Sequence, residues 1–182
     1  MFTCPLSADV YLRILEQRDA EPLFDLTDRS RQHLRCWLPW LDQVVRLEHT
    51  EAFIAAGLRQ FADGFGMQAG IWRGGCLVGV AGLHPIDWPN RQGSLGYWLG
   101  AEQLGQGLAT LASRALLRTA FLDYGLHRME LRAATGNLRS RAVAERLGFT
   151  LEGVARDAEW LYDHYVDHAV YALLADDGQD LA

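Results

Sequence analysis

Apolar positions 10, 12 and 14 alternate with Tyr11 and Arg13, which predicts a strand over residues 10–15. From Asp19 the spacing lengthens. Leu23, Leu26 and Leu34 fall on one helical stripe, so a helix is expected to run from an Asp19 cap to about Arg35. Cys36-Trp37-Leu38-Pro39-Trp40-Leu41 sets two tryptophans around a proline and suits a turn. Phe53, Ile54, Leu58 and Phe61 mark a second amphipathic helix over 49–62. Beyond Gly64 the runs shorten to 67–73, 76–84 and 93–99, all β-rich, with a hairpin signal at Gly74-Gly75 and a turn at Asp87-Trp88-Pro89-Asn90. From Gly107 the period is helical again: Leu108, Leu111, Ala112, Ala115, Leu116, Thr119 and Leu122 share a stripe that Gly125 closes. Met129, Leu131 and Ala133 predict a strand, 138–147 a shorter helix, and 150–162 and 165–174 two final strands.

The order β-α-α-β-β-β-α-β-α-β-β implies α/β architecture around a mixed sheet of about seven strands and about four helices. The 182 residues fit one domain spanning 1–182, with an acidic tail expected to fray over 176–182.

Charge narrows the chemistry. All 17 basic residues are Arg, so a Walker-type phosphate loop and any lysine-based covalent mechanism are excluded. The net charge of −6 argues against sequence-independent nucleic-acid binding. No apolar run reaches the roughly 18 residues of a membrane span, and the first residues do not read as a secretory leader. Cys4, Cys36 and Cys76 are odd in number and scattered. They suit a reducing cytoplasm better than a disulfide framework.

Two segments carry the candidate chemistry. In the first, a strand over 93–99 leads through Gly105 and Gly107 into a helix. Backbone N–H groups of such a turn, at a helix N-terminus bearing about half a positive charge, can hold a phosphate without any lysine. Thr110 stands in the first helical turn as a further donor. The third glycine of a dinucleotide fingerprint is missing. The alternative for this segment is a plain strand–helix turn. In the second segment, Arg132 to Phe149, a strand ends at a polar turn and a helix starts with Asn137 as N-cap and Ser140 in its first turn. If the two strands are neighbours, both helix N-termini open onto one crevice.

With Leu38-Pro39-Trp40, Gly96-Tyr97-Trp98-Leu99, Gly105-Gln106-Gly107, Asn137-Leu138-Arg139-Ser140-Arg141, Arg146-Leu147-Gly148-Phe149 and Ala158-Glu159-Trp160 in this order, nearly the whole chain resembles the GNAT acetyltransferases. Within them it resembles the ribosomal-protein-serine and -alanine N-acetyltransferases. The resemblance implies a mixed, mostly antiparallel sheet and acetyl-CoA as co-substrate. The family's pyrophosphate loop, Gln/Arg-x-x-Gly-x-Gly/Ala, maps onto residues 104–109, with Leu104 in place of the leading Gln/Arg. The backbone of Gly105, Gln106, Gly107, Leu108 and Ala109 would hold the pyrophosphate. Strand backbone near Trp98 and Leu99 would pair with the pantetheine arm, as would Asn137. The resemblance also implies a splay between the strands at 95–99 and 128–134.

It further places a general base at Glu159 and a proton donor for the leaving thiolate at Ser140, with Tyr97 or water as the alternative donor. The alternative for Glu159 is a solvent-facing strand carboxylate, and for Ser140 a simple cap. Trp160, Tyr162 and Tyr165 are expected to give Glu159 an apolar wall. Trp37, Trp40 and Trp88 are candidates for the acceptor pocket. Arg139, Arg141 and Arg146 form a candidate basic face for the nucleotide's 3′-phosphate. His164 and His168, four apart, invite a metal reading, but no third ligand is evident and no metal is expected. The implied acceptor is a primary amine, above all a ribosomal-protein N-terminus. A polyamine, an aminoglycoside, a non-catalytic acyl-CoA sensor and a protein for another nucleotide are the competing readings. No direct nucleic-acid or membrane partner is expected, and a homodimer is allowed.

Overall fold

The computed structural model describes residues 2–177, so most of the expected acidic tail lies outside the described residues. Eight strands form one sheet: β1 (Thr3–Pro5), β2 (Val10–Ile14), β3 (Met67–Arg73), β4 (Cys76–Asp87), β5 (Gln92–Leu99), β6 (Arg128–Ala134), β7 (Thr150–Leu161) and β8 (His164–Leu174). Their spatial order is β1-β2-β3-β4-β5-β6-β8-β7. The helices are α1 (Ala20–Leu34), α2 (Leu47–Ala62), α3 (Leu108–Arg118) and α4 (Leu138–Arg146). The strand absent from the sequence expectation is β1. At three residues ending in Pro5 it is too short to express an alternation, and it exists through its pairing with β2.

Both faces of the sheet are covered. Leu23 and Leu26 of α1 and Ile54 of α2 pack with Trp72, Leu77 and Val80 on one face. Leu108, Ala112 and Leu116 of α3 and Val143 and Leu147 of α4 join Leu12, Ile71, Leu83, Met129 and Leu131 in the larger core. Fully burying one such aliphatic side chain is worth about 1.5–3 kcal/mol.

Two local expectations change. Asp19 does not cap α1 with its side chain. It is buried, pairs with Arg13 at 2.8 Å and accepts the Glu16 N–H at 2.8 Å, so a short 3-10 turn at Gln17–Asp19 precedes the helix. The α3 stripe continues past Arg118 as one wide π turn, Thr119–Asp123, before Gly125 closes it at φ +63°.

One junction opens the sheet. All neighbouring strands are antiparallel except β5 and β6, which run parallel and pair only over 92–94 with 128–130. Beyond Ser94 the two strands part. The β5 edge at 95–99 and the β6 edge at 131–134 then face an opening between them.

Candidate active site

That opening is a cleft of about 790 Å³. Leu95 to Leu99 form one wall and Leu131 to Ala134 the other. The N-termini of α3 and α4 close one side, and the segment after α1 lies across it. An unpaired strand edge offers N–H and C=O groups to any extended, amide-bearing ligand.

The candidate phosphate end is built from backbone. Gly105 and Gly107 have φ of +75° and +77°, and beyond the adjoining residues nothing lies within 4 Å of where a Cβ would stand at either. Gly107 is itself the N-cap of α3. The turn is thus an open cradle of N–H groups at a positive helix end, which fits a pyrophosphate. Leu104, Leu108, Ala109 and Thr110 line the same cleft, and Leu104 also packs against the core. Gln106 turns the other way. Its side chain accepts from Arg73 and donates to the Glu102 carbonyl, so only its backbone belongs to the cradle. The Thr110 hydroxyl accepts from Arg146 at 2.7 Å, tying the start of α3 to the end of α4.

At the start of α4, Asn137 Oδ1 accepts the Ser140 N–H at 3.1 Å, the capping role expected of it. The cap leaves the Ser140 side chain facing β5. Its Oγ lies 2.9 Å from the Tyr97 hydroxyl, and either oxygen can be the donor. The two alternative proton donors are therefore one hydrogen-bonded pair. Burial raises the Tyr97 phenol above its ordinary value, so its proton stays on at neutral pH.

Glu159 reaches the same cleft from the far end of the sheet. The register of β7 on β8 slips between Ala155 and Glu159, and Asp157 holds φ +47° with its N–H bonded to Asp167. This bulge re-aims the strand just before Glu159. Its direct partner on β8 is Val166, so His168, two residues on, lies diagonally across on the same face. His168 Nε2 is 3.5 Å from Glu159 Oε2, and His168 also lines the cleft. The expected wall of Trp160 and Tyr165 is not there. Strand alternation turns Trp160 to the opposite face, where it packs edge-on against Tyr165 with ring centroids 4.8 Å apart, both exposed.

Tyr162 has a different task. Its hydroxyl donates to the Leu38 carbonyl and accepts the Leu41 N–H. Arg35 stacks 3.8 Å over its ring while gripping Asp42 through two 2.9 Å bonds, which holds the Asp42 carboxyl below its usual range. The segment after α1 is thereby fastened three residues beyond Glu159. That segment brings Trp37, Leu38 and Pro39 to the cleft, beside His33 in the last turn of α1. Burial first, and Arg139 second, push the His33 imidazole down.

Other candidates fall elsewhere. Trp40 packs on Trp98 with centroids 6.2 Å apart, one layer behind the cleft wall. Trp88 bonds the Gly64 carbonyl and packs on Tyr124, away from the site. Arg141 is committed to Tyr171 and the Thr135 carbonyl, leaving Arg139 and Arg146 to line the cleft. His164 is held by Asp163 at 2.6 Å, while His168 faces Glu159. Among the described residues no group of three or more His, Cys, Asp or Glu is placed to hold a metal. The sequence reading missed His168 as a partner of Glu159 and Tyr162 as an anchor. The period-2 spacing of Val166 and His168 was the available signal for the first.

Residues 9–150 match the acetyltransferase (GNAT) domain family. The chain belongs to the GNAT acetyltransferases. It is an acyltransferase, and acetyl-CoA is its co-substrate. The Bacillus subtilis (strain 168) protein YdaF, provisionally named a ribosomal N-acetyltransferase, is 39% identical over 175 residues, 96% of each chain. The ribosomal-protein-serine acetyltransferase of Escherichia coli (strain K12) is 29% identical, covering 96% of this chain and 97% of its own. Among solved structures, RimL, a ribosomal L7/L12 α-N-protein acetyltransferase in complex with coenzyme A, superposes with a TM-score of 0.93 at 27% identity over 97% of this chain and 99% of its own. No helix among the described residues is long and apolar enough to cross a membrane.

Proposed function

We propose that this GNAT enzyme acetylates the N-terminal α-amine of a protein, with ribosomal proteins as the substrate class. The observation that carries this reading is the gathering of one carboxylate, Glu159, and one hydroxyl pair, Tyr97–Ser140, in the lining of the cleft that begins at the Gly105–Gly107 cradle. The relatives named for ribosomal proteins support the substrate class.

The chemistry needs a neutral amine. An α-amine has an ordinary pKa of about 7.7–8.0, against about 10.4 for lysine, so at neutral pH roughly a tenth of it is already uncharged. A single carboxylate is then base enough. In the proposed step the amine nitrogen attacks the thioester carbonyl carbon. The C–N bond forms and the C–S bond breaks. Glu159 takes the proton lost by the amine, and the departing thiolate receives one from the Tyr97–Ser140 pair. Holding both reactants in one cleft supplies much of the acceleration, so no covalent enzyme intermediate is needed. The phosphate cradle and Leu99 backbone bind the co-substrate, with Asn137 beside its pantetheine arm, and Trp37 walls the acceptor.

The test is thiol release from acetyl-CoA with short peptides bearing free N-terminal Ser or Ala, beside N-terminally blocked copies, polyamines and aminoglycosides. Turnover of the free peptides and none of the blocked ones supports the reading. Preference for a polyamine or aminoglycoside overturns it in favour of a small-amine acetyltransferase.

A further inference from the structure

Glu159 does not stand alone. His168 projects from the adjacent strand onto the same face, and its side chain is 14% exposed against 30% for Glu159. The bulge at 156–158 lets a diagonal pair close to 3.5 Å between Nε2 and Oε2. Such contacts are often long before substrate is bound and tighten in the reacting complex. The His168 backbone is fixed from both sides: it pairs with Ala134 at the mouth of the cleft and with Ala155 just before the bulge.

We propose that His168 is a positioning residue for the reaction. Its imidazole Nε2–H holds one oxygen of the Glu159 carboxylate at the cleft face, so that the other oxygen is presented to the acceptor amine. This rests on Glu159 acting as the base. Without the imidazole, a glutamate on an edge strand has several rotamers open to it, most of them pointing to water. Misplacing a reacting group by about 1 Å can cost 10²-fold in rate. The role needs only an N–H at the Nε2 position. Gln can supply one from nearly the same place and Leu cannot.

The experiment compares His168→Leu, His168→Gln and Glu159→Gln, each alone, and His168→Leu combined with Glu159→Gln, using an N-terminal Ser peptide as acceptor. His168→Leu should lower kcat about tenfold with the acetyl-CoA KM unchanged. His168→Gln should recover most of that loss, and in the Glu159→Gln background His168→Leu should add nothing. An equal loss in both backgrounds means His168 acts on the fold and overturns the proposal. Full activity of Glu159→Gln overturns the base assignment instead. A readout independent of turnover completes the test. The side-chain ¹⁵N resonances of His168 should move on Glu159→Gln and stay put on Glu152→Gln; no movement on Glu159→Gln overturns the contact itself.

Discussion

The two ends of the cleft are built by different means. The proposed co-substrate end is backbone: a left-handed glycine pair, the N-terminus of α3 and the free edge of β5. The proposed acceptor end is side chains, Glu159 and His168 from β7 and β8 under a segment fastened by Tyr162. Outside the two positive-φ glycines, a backbone site tolerates sequence change, because N–H groups come with every residue except proline. Leu104, where the family carries Gln or Arg, illustrates this: its side chain packs inward while the turn keeps its shape. Side-chain sites depend on each residue and on the bulge, register and anchor that aim it. The first end should therefore be robust and shared, and the second fragile and selective.

The largest expected break in this comparison is chemical. Glu159→Gln keeps the shape and removes the proposed base, so turnover with an α-amine peptide should fall about 10²-fold near pH 7. The deficit should shrink as pH rises toward the amine's own pKa, because the neutral amine then forms unaided. Steady-state rates from pH 7 to 9 check this. A constant deficit would assign Glu159 to binding the ammonium.

The Tyr97–Ser140 pair lies between the two ends and sharpens the division. Ser140→Ala and Tyr97→Phe should each lower kcat about tenfold with little change in acetyl-CoA affinity. The double variant should lose scarcely more than either single one, since both act through one hydrogen bond. Full additivity in the cycle would separate them into independent roles.

Tyr162→Phe tests the anchor. It frees the Leu38 carbonyl and the Leu41 N–H while leaving the ring under Arg35. The acceptor KM should rise about threefold with kcat nearly unchanged, the signature of lost uniform binding. Equal loss in kcat would place the segment in the chemistry.

The smallest effect belongs to the scaffold. Asn137→Ala removes the cap of α4 and should cost about 1 kcal/mol of stability, a Tm drop of about 2–4 °C. Calorimetric melting measures it, and an unchanged Tm would mean water replaces the cap.

How far the sequence could be read follows the same division. The Gly105–Gly107 turn, the Asn137 cap and the strand–helix alternation around them are local, each written within a few consecutive residues, and they appear where the pattern places them. The splay of β5 from β6 and the proton-donor role of Ser140 came with the family resemblance, whereas the place of Ser140 in the first turn of α4 was read from the residues. Asp19 was misread as a helix cap because its partner, Arg13, lies in the preceding strand. Trp160 and Tyr165 were misread as walls of the site because nearness along the chain was taken for a shared face, and alternation sends Glu159 the other way. His168 and Tyr162 join segments that only the register of β7 on β8 and the path of the α1–α2 segment bring together. The period-2 spacing puts Val166 and His168 on one face, but no spacing in the sequence says which residue of β7 lies opposite them, and none encodes the Tyr162 contact.

Calorimetric titration of acetyl-CoA into the wild type, Gly107→Val and Glu159→Gln tests the division most directly. Gly107 lines the cleft at φ +77° with open space where a Cβ would stand. Gly107→Val should weaken binding at least tenfold, about 1.4 kcal/mol. Glu159→Gln should bind as the wild type does. Unchanged affinity in Gly107→Val, or a comparable loss in Glu159→Gln, would contradict a cleft whose co-substrate end is backbone and whose acceptor end is side chain.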